Sequence, residues 1–154
     1  MELISQMGKT KEQISYNMSR VKSSGTKIEK VLGSALWKAG IRYRKQYQKI
    51  PGRPDFALPG DRIAIFCDSS FWHGRGWPES AKELKTNRDF WIAKIEGNIS
   101  RDREVNAQLT DMGWLVVRFW DFEILKKTSI CVQKVIDLRA MRRGMASNDK
   151  ACSY

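Results

Sequence analysis

Two short β-type runs, Asp55–Leu58 and Arg62–Phe66, flank the turn Pro59-Gly60-Asp61, and a third run, Trp114–Phe119, is apolar almost throughout. A tight turn joins antiparallel strands, whereas a near-continuous apolar strand belongs in the covered middle of a sheet. Between them the spacing predicts a long helix, opened by Asn87 and ending near Gly113, with Trp91, Ile95, Ile99, Val105 and Leu109 as its inner stripe. A hairpin that continues through a helix to a further strand implies a mixed sheet flanked by helices. Upstream, Ile28, Val31, Leu32, Ala35, Leu36 and Ala39 recur at helical spacing from Thr26 to Ala39, with Gly40 just past the end. Arg42–Gln48 alternates Tyr43 and Tyr47 with charged residues and reads as the first strand of a three-stranded meander. A last helix through Cys131, Val135 and Leu138 gives the order α-β-β-β-α-β-α, an α/β architecture.

At 154 residues and 42% apolar, the chain is sized for one domain with one ordinary core. Residues 1–24 are polar and basic and read as a flexible arm, residues 25–142 as the folded domain, and residues 143–154 as a frayed tail. No apolar stretch approaches the roughly 20 residues that span a bilayer, and the start of the chain has no signal-peptide core, so a cytoplasmic protein without membrane contact is expected. The net charge of +11 favours polyanions, because clustered Lys and Arg gain from phosphate neutralisation and counterion release. Cys67, Cys131 and Cys152 form no CxxC pair and no disulfide framework.

The residues that carry chemistry cluster between Pro51 and Gly74. Asp55 follows a proline and opens a strand, which suits either an oxygen ligand for a hard cation such as Mg²⁺ or a turn cap. His73 is the single histidine of the chain. Its imidazole titrates near neutrality and can move a proton, and the following Gly74-Arg75-Gly76 reads as exposed loop rather than core. Phe71 and Trp72 precede it on a polar loop running from Asp68 to Thr86, where large aromatics are costly unless they bury or bind something. Glu29 is open to two readings, an active-site carboxylate or the return arm of a capping box with Thr26. Asp102 lies at i+4 from Asn98 and i+11 from Trp91, so the three share one helix face, although Asp102 is also placed to pair with Arg101 or Arg103 at the surface.

Pro51-Gly52-Arg53-Pro54-Asp55-Phe56, Phe66 through Phe71-Trp72-His73, Phe90-Trp91 with Lys94-Ile95, Asn98, Arg101-Asp102-Arg103, Gly113-Trp114 and Trp120 together resemble the very-short-patch repair (Vsr) endonucleases. The resemblance runs from about Asn17 to Leu125 and implies the restriction-endonuclease-like PD-(D/E)XK fold. It implies a Mg²⁺-dependent endonuclease that nicks duplex DNA at T·G mismatches, with Asp55 on the metal, Glu29 supporting the metal's water shell, His73 as general acid/base and Asp102 fixing the histidine tautomer. It also implies that Phe71, Trp72 and Trp91 wedge into the mismatch, with Met18 entering from the opposite groove; Trp91 otherwise reads as core. Arg20, Lys22, Lys82, Lys85 and Arg88 would then position the duplex through its phosphates. Restriction of particular or modified sites is the alternative use of the same chemistry, and distorted-DNA binding without catalysis is a third. Mismatch-repair or methyltransferase partners and a nucleoid location follow from the same resemblance, and a monomer is the default for a nickase, since two cuts would need two sites.

Departures from the family pattern are as informative. The positions of the family's structural zinc are Ser70, Arg75, Trp77 and Phe122 here, none a good zinc ligand, so that site is expected to be absent, with Trp77 and Phe122 offering an apolar contact instead. The residue that acts on the metal through its main-chain carbonyl is Cys67. Asp68 stands where the family has a histidine, as a second acidic ligand or as a solvent-facing group. Strand alternation keeps the Cys67 and Asp68 side chains on opposite faces. The E-x-K lysine is missing from Asp68-Ser69-Ser70.

Overall fold

A computed structural model describes residues 25–151. The expected basic arm, with Met18, Arg20 and Lys22, lies outside the described residues.

Helix α1 spans Lys27–Lys38 and buries Leu32 and Leu36. Gly40, at φ 84°, reverses the chain in the left-handed conformation that glycine adopts without strain, and the Ile41 N–H returns to the Leu36 carbonyl. Strand β1 is only Arg44–Lys45, because Gln46 turns into the left-handed region at φ 47° and ends the expected Arg42–Gln48 strand. Strands β2, Phe56–Leu58, and β3, Ile63–Asp68, form the expected hairpin. β3 carries on two residues past its expected end, which puts Cys67 and Asp68 in regular strand geometry. The connection after it contains a 3₁₀ turn at Glu79–Glu83. Helix α2, Arg88–Asp111, then crosses to strand β4, Leu115–Trp120. A short helix α3, Asp121–Lys126, precedes the last helix α4, Thr128–Ala151, which continues into the segment read as a frayed tail.

The sheet order is β1-β2-β3-β4, antiparallel except for the β3/β4 pair, as the hairpin-then-crossover pattern requires. Alternation sorts the side chains between two layers. Ile63, Ile65, Val117 and Phe119 face a core closed by Leu32 and Leu36 of α1, Ile124 of α3 and Val135 of α4. Ala64, Phe66 and Val116 face the other way, against Val105 and Leu109 of α2. Fully burying such aliphatic side chains is worth about 1.5–3 kcal/mol each, which makes the sheet a stiff mount. Asp68 and Trp120 pair at the carboxyl ends of the two parallel strands, the place where open α/β sheets present their chemistry. Among the described residues no helix is long and apolar enough to cross a membrane.

Candidate active site

A cleft of about 660 Å³ opens at that end of the sheet, and Glu29, Asp55, Cys67, Asp68, His73 and Asp102 all line it. The structure thus brings together the carboxylates and the imidazole singled out in the sequence, from α1, the β2 entry, β3, the loop and α2.

Asp55 sits at the bend before β2. Its Oδ2 accepts from the Cys67 N–H at 2.7 Å and its Oδ1 from the Gln46 Nε2 at 3.1 Å. The same Gln46 amide donates to Glu29 Oε2 at 3.1 Å, so one neutral donor bridges the two acids. Burial, followed by repulsion from Glu29 and Asp68, outweighs these hydrogen bonds and pushes the Asp55 carboxyl up to about 6. Glu29 lines the cleft and does not close the expected capping box on the Thr26 N–H. It accepts from the Gly25 N–H at 2.9 Å, one residue earlier than a capping box would have it, and from the Thr26 hydroxyl at 3.3 Å, while still facing the cleft.

Cys67 points its side chain toward the α1/α4 core, and burial raises its thiol far above the ordinary value. Its backbone is the part turned to the cleft: in a strand the N–H and C=O of one residue project to the same side, and this N–H meets Asp55. Asp68 projects from the opposite face and is 4% exposed, which overturns the solvent-facing reading. Both of its oxygens accept from Arg118 Nη1, at 3.2 and 3.3 Å, and its Oδ1 lies 3.7 Å from His73 Nε2. Burial raises the Asp68 carboxyl, against the lowering pull of His73 and Arg118.

His73 is held by Asp102, whose Oδ2 lies 2.6 Å from its Nδ1. Asp102 therefore faces inward to the imidazole rather than pairing with Arg101 or Arg103. An ionised Asp102 accepts the Nδ1 proton there, which leaves Nε2, 3.7 Å from Asp68 Oδ1, as the nitrogen for proton exchange. Burial pulls the imidazole down, but the hydrogen bond to Asp102 and the charges of Asp68 and Asp102 prevail, and the net shift is upward. Gly74 lets the loop carrying His73 lie against α2. At φ 65° its Cα leaves so little room that a Cβ would stand 2.5 Å from Ile99 Cδ1 and 3.0 Å from Ile95 Cγ2. Gly74→Ala is accordingly expected to cost about 1–3 kcal/mol in urea unfolding, from backbone strain and overpacking, and to slow any reaction that depends on His73.

The helix face predicted from Trp91, Asn98 and Asp102 is used along its whole length. Trp91 lies beneath Phe71 and Trp72, with ring centroids 5.2 and 5.4 Å away, and Asn98 Nδ2 donates to the Trp72 carbonyl at 3.0 Å. Phe71 and Trp72 are half-buried, whereas Trp91 is 0% exposed and presents no ring face to solvent. In this conformation it is the floor on which the other two stand.

The four positions of the expected missing zinc site are engaged otherwise. The Ser70 hydroxyl donates to Asp121 Oδ1 at 2.5 Å, and its N–H to Oδ2 at 3.2 Å. The Arg75 guanidinium lies 4.4 Å from the centre of the Phe122 ring, and Trp77 Nε1 donates to Glu96 at 3.4 Å. Phe122 is thus covered by the Arg75 cation, while Trp77 packs against the Leu84–Trp91 cluster. Two residues that the sequence did not single out, Gln46 and Arg118, make some of the most central polar contacts in the cleft.

Comparison with known proteins adds an independent line. The family profile of DNA mismatch endonuclease Vsr matches residues 8–79. The chain is 44% identical over 137 residues to the type II nicking enzyme V.NmeDIP of Neisseria meningitidis serogroup C, an alignment covering 89% of this chain and 93% of that one. It is 45% identical over 124 residues to the type II nicking enzyme V.HpaIIP of Haemophilus parainfluenzae, covering 79% and 88%. It is 37% identical over 107 residues to the DNA mismatch endonuclease Vsr of Escherichia coli K12, covering 70% and 68%.

Proposed function

This chain belongs to the Vsr family of DNA mismatch endonucleases and is a DNA endonuclease; from that premise we propose that it nicks one strand of duplex DNA beside a T·G mismatch, using Mg²⁺. The observation that carries the reading is the junction of two functions on one loop. His73, aimed by Asp102, follows directly on the Phe71–Trp72 pair and shares a cleft with Asp55.

Vsr nucleases are metal-dependent, and the donor set fits a hard cation. Asp55 is a half-buried carboxylate raised first by desolvation and then by the charges of Glu29 and Asp68, and among the described residues neither it nor Glu29 forms an ion pair. Asp55 and the Cys67 carbonyl would hold Mg²⁺, with Glu29 at the edge of its water shell, and bound there it would polarise the phosphate and lower the pKa of water. Asp68, with both oxygens on Arg118, is the less available of the two acids. The chain's own contribution is proton transfer at His73 Nε2, while Asp102 stabilises the imidazolium through Nδ1.

Phe71 and Trp72 supply the mismatch preference. Base–aromatic stacking is worth about 1–3 kcal/mol per base, and a mismatched pair costs less to open than a matched one. Trp72→Ala is therefore expected to weaken binding of a T·G duplex roughly ten- to a hundredfold while leaving the salt-dependent binding of matched duplex nearly unchanged, as read by fluorescence anisotropy. The fact that several relatives carry the name type II nicking enzyme favours a second reading, in which the nicked site is one particular modified or restriction-related sequence. Nicking assays on matched, T·G and methylated duplexes, with Mg²⁺ or EDTA, separate the two. Equal cutting of matched and T·G duplex would remove the mismatch claim, and nicking undiminished by EDTA would remove the metal.

A further inference from the structure

Arg118 breaks the pattern of an otherwise apolar strand and is 18% exposed at its side chain, unlike the surface Lys and Arg that give the chain its charge. Residues of β4 alternate between layers, so Arg118 projects toward α2, the same side as Asp68. Its guanidinium is engaged through two nitrogens and one face. Nη1 reaches both oxygens of Asp68 and lies 3.5 Å from Asp102 Oδ1, Nε donates to Asn106 Oδ1 at 2.9 Å, and the plane rests 4.1 Å from the centre of the Phe66 ring.

Asp102 is consequently held at both ends: Oδ2 on His73 Nδ1 and Oδ1 toward Arg118. With Oδ2 hydrogen-bonded to the imidazole and Oδ1 drawn toward the Arg118 charge, the carboxylate is restrained from rotating, and it passes that restraint to the imidazole. Asn106 stands one helical turn beyond Asp102, and the contact to it ties α2 to β4 at the level of the histidine. The cation also answers an electrostatic problem. Ligand atoms of Asp68, His73 and Asp102 converge within 4.8 Å, a concentration of negative charge that would otherwise attract a metal or take up a proton. Arg118 lies against both acids and supplies a permanent positive charge there.

We propose that Arg118 is the positioning residue of this site: it locks Asp102 onto His73 and neutralises the Asp68–Asp102 pair, acting as a resident cation where the three side chains would otherwise form a second metal site. The proposal rests on the reading of His73 as the proton carrier. Lysine is a poor substitute, because one ammonium nitrogen cannot replace two fixed donors, Nη1 at the carboxylates and Nε at Asn106.

The test uses the full-length chain with Arg118→Leu and Arg118→Lys. Single-turnover nicking of saturating T·G duplex gives the rate, anisotropy gives the DNA affinity, and proton NMR of the single histidine gives the downfield Nδ1–H signal of the Asp102 hydrogen bond. Arg118→Leu is expected to lower the rate at least tenfold with DNA affinity within twofold of wild type, and to weaken or shift the Nδ1–H signal; Arg118→Lys is expected to recover only part of both. An unchanged rate with an unchanged Nδ1–H signal, or a loss confined to DNA affinity, would overturn the proposal. If Arg118→Leu does not fold, Arg118→Lys decides alone: a displaced signal supports the clamp and an unmoved one refutes it. A wild-type chain that nicks none of the duplexes tried would sink the proton-carrier reading, whereas the NMR signal reports the Arg118 clamp separately.

Discussion

Asp55→Asn is expected to abolish nicking and at the same time to make the protein more stable. In the folded chain the Asp55 carboxyl titrates at about 6 instead of the ordinary 3.8, through burial and the nearby charges of Glu29 and Asp68. The folded state therefore binds more protons than the unfolded one between those two values, and stability falls as pH rises through that window. Below pH 4 the carboxyl carries no penalty, and above pH 6 the penalty is complete. A shift of about two units corresponds to roughly 3 kcal/mol at most, and partial solvent access reduces it to about 1–2 kcal/mol. Asparagine still offers an acceptor to the Cys67 N–H without the charge. The variant should melt about 2–8 °C above wild type at pH 8 and with it near pH 4. Mg²⁺ should raise the wild-type melting temperature and leave the variant unmoved, by mass action on a site that only the folded wild type possesses. Calorimetry at the two pH values, with and without MgCl₂, checks each part. A variant less stable than wild type at pH 8 would show that the Gln46 and Cys67 hydrogen bonds outweigh the buried charge.

What the sequence made legible follows from which contacts are local in the chain. The α2 face of Trp91, Asn98 and Asp102 needed only the helical period, and the structure sets those residues against Phe71 and Trp72, the Trp72 carbonyl and His73 in turn. Mixed-sheet topology was equally readable, because a short turn and a long crossover leave few alternatives. Arg118 was not readable: its meeting with Asp68, fifty residues away, depends on the register of two parallel strands, and no local pattern encodes that. Gln46 was hidden for a different reason. It lies in a stretch with a strand-like alternation, and only the left-handed turn at that residue swings its amide between Glu29 and Asp55. Helix α3, six residues long, is too short to display a period.

Loss of His73 should be as damaging as loss of Asp55, and for a reason visible in the composition. No other histidine exists in the chain to take over the proton, and the nearby acids are committed, Asp68 to Arg118 and Asp102 to the imidazole itself. His73→Ala should cost about 10²- to 10⁴-fold in rate, the usual worth of a positioned acid or base, with DNA affinity preserved because Phe71 and Trp72 keep their support on Trp91. The pH profile distinguishes proton transfer at His73 from mere packing. Burial lowers the His73 value, and the Asp102 hydrogen bond with the charges of Asp68 and Asp102 more than reverses it. The stabilising effect of the charged imidazole is accordingly present below pH 6.5 and is lost as pH rises through the raised folded value. Asp102→Asn removes the largest raising contribution and leaves burial in place, so the limb of the rate profile that belongs to His73 should move to lower pH while the plateau falls. An acid-side limb that moves identifies His73 as the group that takes the proton from water; an alkaline-side limb identifies it as the group that delivers one to the leaving oxygen. A profile unmoved by Asp102→Asn, with the rate nevertheless reduced, would mean that the 2.6 Å contact orients the ring without tuning it.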